Sequence, residues 1–239
     1  VVISDSIFAH NAMCGLTLQS IDGAHIENSQ FHNNAVGVNL WQWVQVTSTD
    51  IAFEGCKFNQ NSLDGVLFGT EVAAKISNVS FANCEFTNNR RMGVFFYHAF
   101  GGTAENVSIN ESVFAGNATR AVAVMGMNET VDASRNFWGS PSPGFGALVL
   151  GSVVYEPFYI DAAMTDLRYL TVWVDDDFDA STPGWGENKF ASIQDALGAV
   201  APGGTVNIAA GTYAGQIEVA QAVTVVGAGA GQTLSLIHI

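Results

Sequence analysis

The sequence predicts an all-β solenoid, a parallel β-helix of short strands stacked coil upon coil, and three observations predict it. The first is a recurring skeleton: a small residue, Phe two on, Asn three further, Gly four further, then an apolar pair. It reads Cys56, Phe58, Asn61, Gly65, Val66 and Phe68, and returns at Cys84, Phe86, Asn89, Gly93, Val94 and Phe96. A third copy runs through Ser112, Phe114, Asn117, Ala121, Val122 and Val124. The second is alternation of apolar and polar residues over short runs bounded by Asn and Gly, which marks half-buried strands. The third is the unit length, 23 residues from Phe8 to Phe31 and 28 from Phe58 to Phe86. That length holds three short strands and three turns but no crossover helix. A unit that cannot bury its apolar face alone must stack on its neighbours.

In chain order, Phe8, Phe31, Phe58, Phe86 and Phe114 hold one place in the repeat, and Trp138 takes it last. Asn11, Asn34, Asn61, Asn89 and Asn117 follow, then Gly15, Gly37, Gly65, Gly93 and Ala121; the second coil is one residue short before Gly37. A strand precedes each Phe, as at Ile51 and Phe53 or Val79 and Phe81, and another follows each Gly. Coils stacked about 4.8 Å apart then carry a Phe ladder inside and an Asn ladder at a bend. An Asn ladder donates and accepts from coil to coil where the sheet ladder breaks. The insertions that vary most run from Trp41 to Asp50, from Gly69 to Ser77 and from Tyr97 to Glu105.

The array, residues 1–160, ends with Asn136-Phe137-Trp138-Gly139 and a Pro/Gly-rich turn, and Val153–Phe158 reads as the edge strand that follows. Residues 161–188 read as a linker. From 189 to 233 the pattern changes: Ser192 with Asp195 resembles a capping box, and Phe190, Ile193, Leu197 and Val200 share one helical face. Strands are expected at Thr205–Ile208, Ile217–Val219 and Val223–Val226, separated by Ala210-Gly211-Thr212-Tyr213. Residues 234–239, Leu-Ser-Leu-Ile-His-Ile, match the translation of a transposase mosaic end used in sequencing libraries. They are expected to be adapter sequence, as in a metagenomic read, and Val1 begins in mid-pattern, as a fragment would.

The repeat and its Asn-x-Trp-Gly closing segment resemble the right-handed parallel β-helix repeats of the pectate-lyase-like superfamily, especially the NosD-type periplasmic and surface proteins. The run from Phe190 to Gly227 resembles the helix-capped start of a second pectin-lyase-like β-helix. The resemblance implies right-handed coils and an extracellular, cell-surface or periplasmic location. Its superfamily hosts lyases, hydrolases, epimerases, adhesins and binding proteins on one scaffold. The expected function is therefore structural, adhesive or carbohydrate-binding, with a polysaccharide-active enzyme as the alternative.

Composition narrows the partners. Hydrophobic residues make up 48% and charged residues 13%, with 22 acids against 8 bases and a net charge of -14. That balance disfavours nucleic acid and anionic membranes, and no run is apolar and long enough to span a bilayer. A polysaccharide or cell-surface glycan is the expected partner. Calcium is the one cofactor the acidity permits, and no resident metal is expected. Cys14, Cys56 and Cys84 show no metal spacing, and Cys56 and Cys84 should stack as buried thiols in neighbouring coils.

For chemistry, Asp64, Arg91 and Arg120 lie at or next to the position before the repeat Gly. They could share one turn edge as a base and the cations that neutralise a uronate carboxylate; the simpler reading is solvated turn residues in a loose ion pair. Trp41, Trp43, Tyr97 and His98 lie in the variable insertions, where aromatic faces suit sugar rings. Asp175, Asp176, Asp177 and Asp179 resemble a calcium loop but carry Phe178 where the Gly belongs. No phosphate-binding loop precedes a helix.

Overall fold

The computed structural model describes residues 1–42, 47–70, 74–98, 102–126, 130–229 and 231–236. They form two compact units, Val1–Tyr155 with Asp161–Met164, and Glu156–Ile160 with the chain from Thr165 onward.

The first unit is a stack of coils built from three parallel sheets. The first sheet holds Val2–Ser4, Asp22–Glu27, Thr47–Glu54, Lys75–Ala82, Thr103–Asn110, Val131–Asp132 and Val153–Val154, side by side in that order. The second holds Ile7–Ala9, Gln30–His32, Lys57–Asn59, Glu85–Thr87 and Val113–Ala115. The third holds Cys14–Thr17, Val36–Gln42, Val66–Thr70, Met92–His98, Arg120–Met125 and Val149–Leu150. Register puts like on like: Phe31, Phe58, Phe86 and Phe114 pair in sequence, as do Phe53 with Phe81 and Phe68 with Phe96. This is the parallel β-helix that the spacing predicts.

The core follows from that register. Phe8, Phe31, Phe58, Phe86, Phe114 and Trp138 stack with centroids 4.8 to 5.2 Å apart. Phe81 stands edge-on to Phe58 and Phe86 at 5.9 and 5.6 Å and to Phe68 at 6.0 Å, so three aromatic columns interlock. Offset and edge-to-face pairs of this kind add about 0.5–1.5 kcal/mol beyond their buried area. The repeat glycine has a steric cause. A Cβ on Gly65 would lie 2.6 Å from the carbonyl oxygen of Gly93 and 3.0 Å from Asn89 Nδ2.

The bends use left-handed residues in columns that the repeat skeleton did not include. Asn28, Gly55, Asn83, Glu111 and Arg135 have positive φ between the first and second sheets, and His10, Asn33, Gln60 and Asn88 between the second and third. Asp50, Asn78 and Asn106 do so in mid-strand, where the pairing skips from Thr49↔Ser77 to Ile51↔Val79. Asn and Asp tolerate this region best after Gly. Their side chains also bridge coils, Asn106 Nδ2 donating to Asn78 Oδ1 at 3.0 Å and Asn78 Nδ2 to Asp50 Oδ1 at 2.9 Å.

Trp138 closes the column against Phe114. Beyond it the expected irregular turn forms a short helix, α1 (Phe145–Leu148), whose Phe145 meets Trp138 edge-on at 5.4 Å. The expected edge strand divides: Val153–Val154 joins the first sheet, while Phe158–Tyr159 pairs antiparallel with Leu167–Val174 in the second unit.

In the second unit, parallel strands Leu167–Val174, Val200–Ile208 and Thr224–Gly227 form a sheet, and Gly211–Ala214 pairs with Thr233–Leu236. Helix α2 (Ile193–Ala199) begins at Ser192, whose Oγ accepts the Asp195 N–H at 3.4 Å. Its Ile193, Ala196 and Leu197 pack with Val172, Val174, Val206 and Ile208. Three expectations are corrected here. Residues 161–188 contain the eight-residue strand Leu167–Val174, because its alternating apolar side chains complete the core over α2. Gly211–Ala214 is a strand and not a separator, because Thr233–Leu236 lies beside it in register. Ile217–Val219 forms no strand, and Val219 is 55% exposed.

Candidate functional site

In the third sheet alternate residues face outward. Val66 and Phe68 are buried in the core, which leaves Leu67 and Gly69 on the flank. Pairing then builds two outer columns across successive coils. One runs Asn39, Leu67, Phe95 and Ala123; the other runs Trp41, Gly69, Tyr97 and Met125.

The flank is apolar and aromatic. Met92, Phe95 and Ala123 form a cluster of their own with Leu67 packed against it. Phe95 tilts against Tyr97 at 5.8 Å, and the Trp41 ring lies 6.2 Å from Tyr97 with 25° between the planes. Tyr97 is 38% exposed. The Arg91 guanidinium sits over the Phe95 ring at 5.1 Å, within cation–π range. These contacts join Trp41 and Tyr97 into one surface. Trp43 lies outside the described residues, as does the His98 side chain. Sequence reasoning missed Phe95, Leu67 and Gly69. Counting outward positions of the third strand in each coil would have found them.

At the bend leading into this sheet, Asp64 and Arg91 meet. Arg91 Nε donates to Asp64 Oδ1 at 2.8 Å, its Nη2 donates to Oδ2, and the Met92 N–H donates to Oδ1 at 3.2 Å. The Asp64 side chain is fully buried and that of Arg91 is 37% exposed. The hydrogen bonds that Arg91 donates to Asp64 raise the Arg91 pKa, overriding the opposing effect of burial. The reading as solvated residues in a loose pair is thus overturned for Asp64, which is held by a bidentate clamp. Arg120 is elsewhere occupied: its Nη1 donates to the carbonyl oxygens of Gly146, Ala147 and Val149 at 3.0 to 3.1 Å. Asp64 and Arg91 come together and Arg120 does not join them. Both oxygens of Asp64 are engaged and covered, so this carboxylate reaches no substrate proton in this arrangement.

Three carboxylates of the acidic cluster, those of Asp175, Asp176 and Asp179, accept from backbone N–H groups. Asp175 Oδ1 accepts the Asp177 N–H at 3.1 Å and Asp176 Oδ2 the Thr212 N–H at 3.1 Å. Asp179 accepts from Ser181 Oγ and N–H, which holds its carboxyl below the usual range. Among the described residues, no group of three or more His, Cys, Asp or Glu is placed to hold a metal ion. Cys56 and Cys84 are buried free thiols. Burial pushes Cys84 well up, and the hydrogen bond from Cys84 is the main cause that lowers Cys56. No helix among the described residues is long and apolar enough to cross a membrane.

Stacked parallel coils with laddered side chains and one aromatic flank define a β-helix repeat domain. The chain belongs to the family described as right handed beta helix region, whose model matches residues 1–137. The coils are therefore right-handed. No curated protein and no solved structure matches the chain.

Proposed function

We propose that the array is a carbohydrate-binding or adhesive domain of a secreted, cell-surface or periplasmic protein, and that the outer flank of its third sheet is the glycan face. The observation that carries this reading is the Trp41–Tyr97 contact at 6.2 Å on an outward column. A ring face presented on a rigid sheet stacks on the C–H face of a sugar at little entropic cost. The resemblance of the repeat and of its Asn136–Gly144 closing segment to NosD-type arrays supports an extracellular or periplasmic setting. The helix-capped parallel strands from Phe190 onward we read as the start of a second β-helix.

The test is binding of the expressed chain to neutral glycans and polyuronates, with and without calcium. Trp41→Ala and Tyr97→Ala are each expected to weaken binding about tenfold or more, with no turnover of any polymer. Binding unchanged in both variants would overturn the assignment of the flank. Turnover that Asp64→Asn abolishes would instead make the domain a polysaccharide-active enzyme.

A further inference from the structure

We infer that Gly69 is a positioning residue that lets Trp41 and Tyr97 act as one platform, and that the platform takes an uncharged glycan lying along the solenoid axis. This rests on reading the flank as the glycan face. Gly69 lies between Trp41 and Tyr97 in the outer column. A Cβ at this position would stand 2.0 Å from Trp41 Cε3, 2.1 Å from Cζ3 and 2.8 Å from Cδ2. The indole therefore occupies the space that any other residue at 69 would need. A fused ring cannot bend aside, so even alanine forces it to rotate away.

The backbone does not require glycine here. The φ of Gly69 is outside the left-handed region, unlike Gly55 or Gly116, so an L-residue fits its conformation. The next coils carry Tyr97 and Met125 in the same column, which shows that the sheet itself tolerates large side chains there. What the glycine provides is a notch. Trp41 and Tyr97 belong to coils two steps apart, a backbone spacing of about 9.6 Å, yet their rings come within 6.2 Å. Only an empty outer position between them permits that.

Charge selects the ligand class. The cations bordering the flank are engaged, Arg91 by Asp64 and Arg120 by three backbone carbonyls. Arg90 lines a separate polar trough with Asn33, Asn34, Gln60 and Ser62. A polyuronate meets aromatic faces and a net charge of -14, with its carboxylates unmatched. An uncharged pyranose chain meets ring faces suited to its C–H bonds.

The experiment uses the full chain as wild type, Gly69→Val, Trp41→Phe and the Gly69→Val/Trp41→Phe double variant. Acrylamide quenching reports whether Trp41 is lifted from its notch, thermal unfolding reports the core, and calorimetry reports binding of cello- and xylo-oligosaccharides against oligogalacturonate. Expected are stronger quenching in Gly69→Val than in wild type, a difference absent when Trp41 is Phe, and an almost unchanged Tm. Binding of a neutral oligosaccharide should fall about tenfold. Quenching or binding equal to wild type would overturn the role of Gly69. Preference for oligogalacturonate would overturn the ligand class. If wild type binds none of the glycans, the glycan reading and the ligand class fail together, while quenching still decides the positioning role.

Discussion

Asn61 donates from Nδ2 to Oδ1 of Asn89 at 2.9 Å, and its backbone N–H donates to the same oxygen at 3.1 Å. Its Nδ2 also donates to the Phe31 carbonyl at 3.1 Å, and its own Oδ1 accepts the Asn34 N–H at 3.1 Å. One side chain thus ties three coils at a bend and pairs the Asn34 N–H, which would otherwise lack a partner there. Asn89 repeats the arrangement with Phe58 and Asn117.

Asn61→Ala leaves the Asn34 N–H without its partner in a buried bend and takes one donor each from the Phe31 carbonyl and Asn89 Oδ1, which stay bonded to the next coil. An unpaired buried donor costs about 1–3 kcal/mol. Urea unfolding is expected to show that loss as a lower midpoint at an unchanged slope. Asn11→Ala, at a partly exposed bend bonded only to Asn34, should cost much less. Equal losses would contradict the ladder account.

The Phe ladder gives a similar contrast. Phe58 is fully buried and touches rings on three sides, so Phe58→Ala is expected to cost about 3–5 kcal/mol. Phe8 stacks on one neighbour and is partly exposed, so Phe8→Ala should cost distinctly less.

The clamp at Asp64 predicts an asymmetry. Arg91→Met leaves a buried carboxylate without its cation, a change expected to cost about 3–5 kcal/mol. Asp64→Asn leaves a guanidinium that is already 37% exposed and can turn to water. It should cost clearly less. Chemical denaturation of both variants checks the order, and the reverse order would mean that Asp64 is wetter than its position implies.

Glu156, in the second unit, has its pKa raised, chiefly by burial and against the hydrogen bond from the Leu170 backbone. With the folded value above the ordinary 4.5, the native state binds the extra proton. Stability from this group is greatest below 4.5 and falls as pH rises through the folded value. Thermal unfolding of that unit should therefore show a loss between these points that Glu156→Gln removes.

How much of this could be read from residues alone depends on whether a contact repeats. The Phe and Asn ladders were visible because each coil must present the same side chain to the next, and the capped helix was visible in Ser192, Asp195 and its apolar face. The left-handed columns were not, because Asn, Asp, Gln, Glu, His, Arg and Gly all occupy them, and the shared property is a dihedral angle. Leu167–Val174 reads as linker from the residues alone because its partner strand starts at Val200, across the intervening helix. Asp64 looked exposed because the residue that covers it, Arg91, comes from the next coil.

The sequence by itself determined the coil, its stacking and its family, since a period that must bury its own apolar face admits few other folds. Only the tertiary structure decided which odd residues meet. Trp41, Gly69 and Tyr97 come from three different coils, and each is an exception to the repeat when read along the chain. They become neighbours only because parallel stacking turns distance along the sequence into adjacency along the axis.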